Sequence, residues 1–199
     1  SDLIGRPSLG SWAVYGLGTE NQNLPGYVVL LDKRGGPISG QPNWSSGFMP
    51  ATYQGTLFRP VGNPILDLRG PEYLSREDQR QKLDLLAKIN AEHLAQRPGG
   101  SELAARAASY ELAFRMQAEA PEVMDIGRET AATQAAYGIG VEPTDEFGRQ
   151  CLFARRCLEA GVRFVQVNFS YPRNYWDAHG DLRNNHTTNA AKVDLPIAA

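Results

Sequence analysis

Long apolar runs, blocks of like charge and phosphate-loop signatures are all missing from this sequence. Without a run of about 18 apolar residues, no segment suits a membrane helix. The formal net charge is −2, with both signs interspersed. That removes the basic stripe which a grip on nucleic acid requires. No Gly-Lys-Ser or Gly-Lys-Thr follows the glycines at 35, 36, 40 and 47, and no GxGxxG opens a helix, so a self-contained nucleotide site is disfavoured. No Gly-x-Ser-x-Gly elbow is present either, which argues against a serine hydrolase. The first residues lack a basic stretch leading into an apolar one, so no signal peptide is expected within these residues. Cysteine is scarce. Cys151 and Cys157 fall six apart on one predicted helix, a poor geometry for a disulfide, and read as small apolar side chains.

What is present is globular. Hydrophobic residues make up 42% and charged residues 21% of the 199, enough to build a core and too few charges for disorder. The chain reads as one partial domain in three stretches, 1–70, 71–140 and 141–199. In the first, Ser8 caps a brief helix through Trp12 and Tyr15 that ends at Gly16 and Gly18. Tyr27-Val28-Val29-Leu30-Leu31 follows as a continuous apolar run, the pattern of a parallel strand covered on both faces. From Asp32 to Pro64 turn residues dominate. An aperiodic stretch this long is commonly functional or a partner surface. Its aromatics Trp44, Phe48, Tyr53 and Phe58 are expected to pin it to the body.

Residues 75–160 are predicted to be helical. Ser75 with Asp78 makes a capping-box start. Leu83, Leu86, Ile89, His93 and Leu94 then recur near helical spacing until Pro98-Gly99-Gly100. Leu103, Ala107, Tyr110, Phe114 and Gln117 mark a second helix, which forms a hairpin with the first, lying on the sheet or projecting from it. A shorter helix is predicted over 128–137, closed by Gly138. Thr144-Asp145-Glu146 starts another, with Phe147, Cys151, Ala154 and Leu158 as its buried stripe and Gly161 just past its end. The strand from Val162 to Phe169 comes next, and residues 185–199 begin a last helix. Two strands do not complete a doubly wound α/β sheet, so further strands before residue 1 and after residue 199 are expected.

In open α/β sheets ligands bind beyond the carboxyl ends of the strands. The second strand leads into Trp176-Asp177-Ala178-His179-Gly180-Asp181 and then His186. Carboxylate and imidazole are the donors that zinc and similar divalent ions accept, which makes Asp177 and His179 the candidate metal ligands. Asp-x-His also occurs as a plain turn in which the carboxylate orients the imidazole, and a catalytic zinc site commonly needs three protein ligands. His186, just inside the last helix, reads as solvated, and His93, among leucines, as structural. Cys151 and Arg155 have the spacing of the sulfatase formylglycine motif. Phe153 replaces its proline, however, and the segment lies inside an amphipathic helix, so the match reads as coincidence.

Several longer motifs carry a resemblance: RPSLGSW at 6–12, YGLG at 15–18, ENQNLPG at 20–26, NWSSGF at 43–48, YQGT at 53–56, SYELAFRMQ at 109–117, GVRFVQV at 161–167 and WDAHG at 176–180. Together they resemble the middle of the domain of unknown function 1501 family. The resemblance covers nearly the whole chain. It implies an exported bacterial protein, periplasmic or extracellular, with the alkaline-phosphatase-like fold shared by sulfatases and phosphatases. This chain would then be a partial doubly wound sheet with a helical hairpin insertion and a long Gly/Pro-rich loop. It further implies a hydrolase of sulfate or phosphate esters, with a small-molecule or glycan ester as substrate. One or two divalent ions, zinc or calcium, would be held by Asp and His at strand ends, and the matching residues are Asp177 and His179. Segments that should bring the nucleophile and the remaining ligands lie outside the chain, so it is expected to be inactive alone and prone to self-association. The alternative is a non-catalytic module that binds a glycan or a protein through residues 35–58.

Overall fold

The computed structural model describes residues 5–59, 64–65, 68, 70–96, 101–169 and 176–199. Three parallel strands form one sheet in the order β2-β1-β3, with β1 at Tyr27–Leu30, β2 at Thr56–Phe58 and β3 at Phe164–Val167. Val28 pairs with both Thr56 and Val165. The apolar run around β1 is therefore the central strand, as its lack of alternation predicts. The short β2 is a correction to the two expected strands. It spans three residues inside a turn-rich stretch, too few for any periodicity to register.

Both faces of β1 are covered. Val28 and Leu30 join Phe58, Met116, Ala120, Phe153 and Cys157 in the larger core, beneath α3 (Ser101–Met124) and α5 (Asp145–Glu159). Tyr27 and Val29 face the other way, onto Val14 of α1 (Leu9–Leu17) and Trp44. Val28, Val29 and Leu30 are at most 1% exposed, and each contributes about 1.5–3 kcal/mol by leaving water. The fold is mixed α/β, with a parallel sheet between two layers.

Local signals explain most helix ends. Ser8 Oγ accepts from Ser11 N, and Gly18 closes α1 at φ 66°. Ser75 and Asp78 form the capping box of α2 (Arg76–Ala95). Gly161, at φ 88°, ends the turn after α5 in a conformation that suits glycine. The predicted stop at 98–100 lies outside the described residues. The helix expected over 128–137 instead starts at Ala131, because Thr130 Oγ1 caps Thr133 N; α4 runs Ala131–Ala136 after a 3-10 turn at Ile126–Arg128. The last helix, α6 (Leu182–Ala198), begins three residues early, behind Asp181 in a left-handed conformation at φ 46°.

Three further expectations are overturned. Thr144 does not cap α5 through its side chain; Oγ1 donates to the carbonyls of Gly138 and Val141. The stripe of α5 is rotated: Phe147 and Ala154 are buried as expected, but Cys151 is half-buried and Leu158 exposed, while Gln150, Leu152, Phe153 and Cys157 go inside. The sheet meets this helix from a slightly different side than the strongest apolar spacing indicates. His93 is exposed rather than structural, because α2 buries none of its residues. Of the hairpin, α3 lies on the core and α2 projects along it.

Candidate functional site

Chain order places β2 on one side of β1 and β3 on the other. Strand order therefore reverses between β1 and β3, and their carboxyl ends frame the crevice where such sheets bind ligands. A cavity of about 220 Å³ lies there. Its floor comes from the residues that follow the two strands. Asn168 donates its backbone N–H to Leu30 O at 2.9 Å, and Gln150 Nε2 of α5 donates to Leu31 O at 3.0 Å.

Charge in the crevice is arranged in pairs. Asp32, 4% exposed, turns back on Arg34: Oδ1 accepts from Arg34 N at 2.9 Å and Nε at 2.7 Å, and Oδ2 from the Arg34 guanidinium. Lys33 Nζ meets Glu146 at 2.7 Å, and that carboxylate raises the lysine's pKa. Asp145 is held below the usual carboxylate range, first by Arg149 and further by the Gly140 N–H. Gln150 Oε1 is buried without a hydrogen-bond partner among the described residues. Buried acceptors are seldom left so, and they tend to mark a place where water or a ligand completes the set.

The predicted site residues are joined to this crevice by aromatic contacts. Phe169, directly after β3, packs edge-on against Phe147 at 5.3 Å and lies under the Arg34 guanidinium at 5.5 Å. Trp176 packs on Phe169 at 6.0 Å. His186, expected to be solvated, is exposed but not idle: its Nε2 is 2.8 Å from Trp176 O. The turn carrying Asp177 and His179 is thereby fixed to the crevice wall at one end. Asp177 Oδ1 and His179 Nε2 stand 3.2 Å apart, with side chains 65% and 80% exposed.

These two side chains fit a divalent ion in donor chemistry, and they point at each other closely enough to turn toward one centre. They supply two donors. No group of three or more His, Cys, Asp or Glu side chains suited to a metal occurs among the described residues. Two donors fall short of the three protein ligands that a catalytic zinc site commonly needs.

Cys151 and Cys157 are distant in character from reactive thiols. Burial pushes their pKa values up to about 11 and about 12, and both are free. That agrees with reading the Cys151–Arg155 spacing as coincidence. Sequence reasoning passed over Asp32, Arg34 and Gln150. Asp32 had a usable signal, since it is the first charged residue after the central apolar run. Gln150 had none, being a polar residue on a helix whose buried side was misjudged.

The 35–58 stretch divides in two. Trp44 and Met49 are buried, and the Trp44 carbonyl accepts from Gly55 N at 2.9 Å, so its middle belongs to the core. Phe48 is 71% exposed and packs against Trp12 at 6.1 Å, beginning a surface row that continues through Tyr15 to Tyr53.

Comparison with known proteins gives one positive result: the family model described as "Protein of unknown function (DUF1501)" matches residues 1–199. No curated protein and no solved structure matches the chain.

Proposed function

Since the chain belongs to the DUF1501 family of proteins of unknown function, we propose that it forms part of a metal-dependent hydrolase of sulfate or phosphate esters. One observation carries this reading. An Asp–His pair is docked, through Trp176 and Phe169, beside the crevice where strand order reverses. A parallel sheet covered on both faces also fits the alkaline-phosphatase-like fold that the resemblance implies.

In this reading Asp177 and His179 hold a divalent ion together with donors beyond the pair. Once bound, the ion supplies positive charge to an oxygen of the ester. The chain's own contribution is positioning. His186 holds the turn through the Trp176 carbonyl, and the Asp32–Arg34 pair stiffens the opposite lip. Phe169 and Phe147 form an apolar wall that limits water.

The test is metal analysis of the full-length protein, with hydrolysis of p-nitrophenyl phosphate and p-nitrophenyl sulfate measured in parallel. Stoichiometric zinc or calcium, lost in Asp177→Ala and His179→Ala together with turnover, is the expected result. A full-length protein that binds no divalent ion, or binds it equally well in both variants, sinks the reading.

A second reading, a non-catalytic binding face built on residues 35–58, is favoured by exposed Phe48, which continues through Trp12 and Tyr15 to half-buried Tyr53. It loses Trp44 to the core.

A further inference from the structure

A larger cavity, about 620 Å³, opens at the other end of the sheet, near the amino end of β1. It lies between α1, the 3-10 turn at Ala51–Tyr53 and α3. That volume is within the range of about 300–1,000 Å³ typical of small-molecule sites. Tyr15 and Tyr53 stand on one side, edge to face at 5.4 Å, with Tyr15 55% exposed. From α3, Ala105 and Ala108 face the space, and their short side chains leave it wide.

The chemistry of the lining is selective. Among the described residues it includes no Asp, Glu, Lys or His. Its one cation, Arg115, donates Nε to the Gln22 carbonyl at 2.7 Å. The remaining polar side chains are hydroxyls and amides, among them Thr19, Thr52, Gln54 and Ser109. Such groups both donate and accept hydrogen bonds. A sulfated or phosphorylated ligand would call for paired cations, and a cationic one for a carboxylate; the cavity supplies neither. Thr19 and Ser109 donate to the carbonyls of Asn21 and Arg106, and Gln54 accepts from Gln41; a purely apolar ligand would strip water from the bonding capacity these groups have left.

We propose that this groove binds a neutral oligosaccharide. Sugar rings present an apolar C–H face to an aromatic ring and a rim of hydroxyls to amides and hydroxyls. Tyr15 continues the row to Trp12 at 6.0 Å, and Trp12 on to Phe48 at 6.1 Å. Those two rings lie outside the cavity lining and stand nearly perpendicular to their neighbours, so they extend the aromatic surface without forming one flat platform. The inference deepens the binding reading of the 35–58 face and is independent of the hydrolase reading.

The test is calorimetry with full-length protein and cello-, xylo- and chitohexaose, with a sulfated hexasaccharide as the charged control. Tyr15→Ala with Tyr53→Ala is expected to weaken binding of a neutral hexaose by roughly tenfold or more. Tyr15→Phe with Tyr53→Phe keeps the rings and is expected to bind within about threefold of the parent. Ala108→Trp, at an exposed position on α3, is expected to fill the groove and abolish binding while circular dichroism stays unchanged. Binding of a neutral hexaose that survives Ala108→Trp overturns the groove and leaves the binding reading standing. Failure of every neutral hexaose to bind overturns the proposal, as does binding of the sulfated control alone, and either leaves the 35–58 face to a charged glycan or a protein.

Discussion

His186 Nε2 reaches the carbonyl oxygen of Trp176 at 2.8 Å, so α6 holds the turn that carries Asp177 and His179. A carbonyl only accepts, so the imidazole must donate from Nε2. The two rings also stack at a tilt, 6.0 Å apart. The histidine acts as a positioning residue for the pair.

His186→Phe keeps the ring and removes the donor. In the full-length protein it is expected to weaken divalent-ion binding by about tenfold without removing a ligand. Metal titration checks this, and Trp176 emission should shift as its carbonyl anchor is lost. An unchanged affinity would make the contact incidental.

Asp32 and Arg34 form a pair with one member almost wholly inside. Arg34→Met strands the carboxylate and is expected to cost about 3 kcal/mol. Asp32→Asn combined with Arg34→Met should recover much of that loss, since no charge is then left unpaired. Urea melts of the four proteins in the double-mutant cycle give the coupling directly.

The two thiols, Cys157 buried and Cys151 half-buried, make a prediction about alkaline pH. Their pKa values in the folded protein, about 11 and about 12, lie above those of an unfolded chain. Above about pH 9 the unfolded state therefore loses protons that the folded state keeps. The thiols' contribution to stability is complete below that pH and declines as pH rises toward 11 and 12. Cys151→Ala with Cys157→Ala should flatten the alkaline limb of a thermal-stability profile. At pH 8 the native thiols should react with Ellman's reagent only slowly, and fully once unfolded.

Glycine 148 is expected to defy helix propensity. Alanine is normally better than glycine inside a helix by about 1 kcal/mol. Here a Cβ would come 2.0 Å from the Tyr137 carbonyl oxygen, a backbone atom with little room to yield. Gly148→Ala should lower the melting temperature, while Gly16→Ala, in α1 with open space around it, should raise it or leave it unchanged.

Much of this architecture is written locally and could be read from the sequence. Ser8, Ser75 and Gly161 act within a few residues of themselves, and each ends or begins a helix where its chemistry dictates. The run at Tyr27–Leu30 is legible for a related reason: only a strand covered on both faces can be apolar throughout. What stayed hidden depends on partners distant in sequence. Three residues make β2 a strand only because β1 lies alongside. The burial of Gln150 depends on Leu31, 119 residues away. For the candidate site, strand-end position and residue type single out Asp177 and His179 as candidates. The Phe147–Phe169–Trp176 contacts that dock them have no such signal, since aromatic packing leaves no fixed spacing in a sequence.

The first helix of the hairpin, α2, has a consequence of a different kind. It buries no residue, and its ties run to α3: Arg80 grips Glu111 at 2.8 and 2.5 Å, and Arg76 and Arg80 lie over Phe114. Nothing in the sheet waits on it. Such an arm opens as a unit of its own, well below the free energy that unfolds the whole chain. Its amide protons should exchange with solvent long before those of β1. Its length, sequence and moment of melting can all drift without retuning the strands beneath.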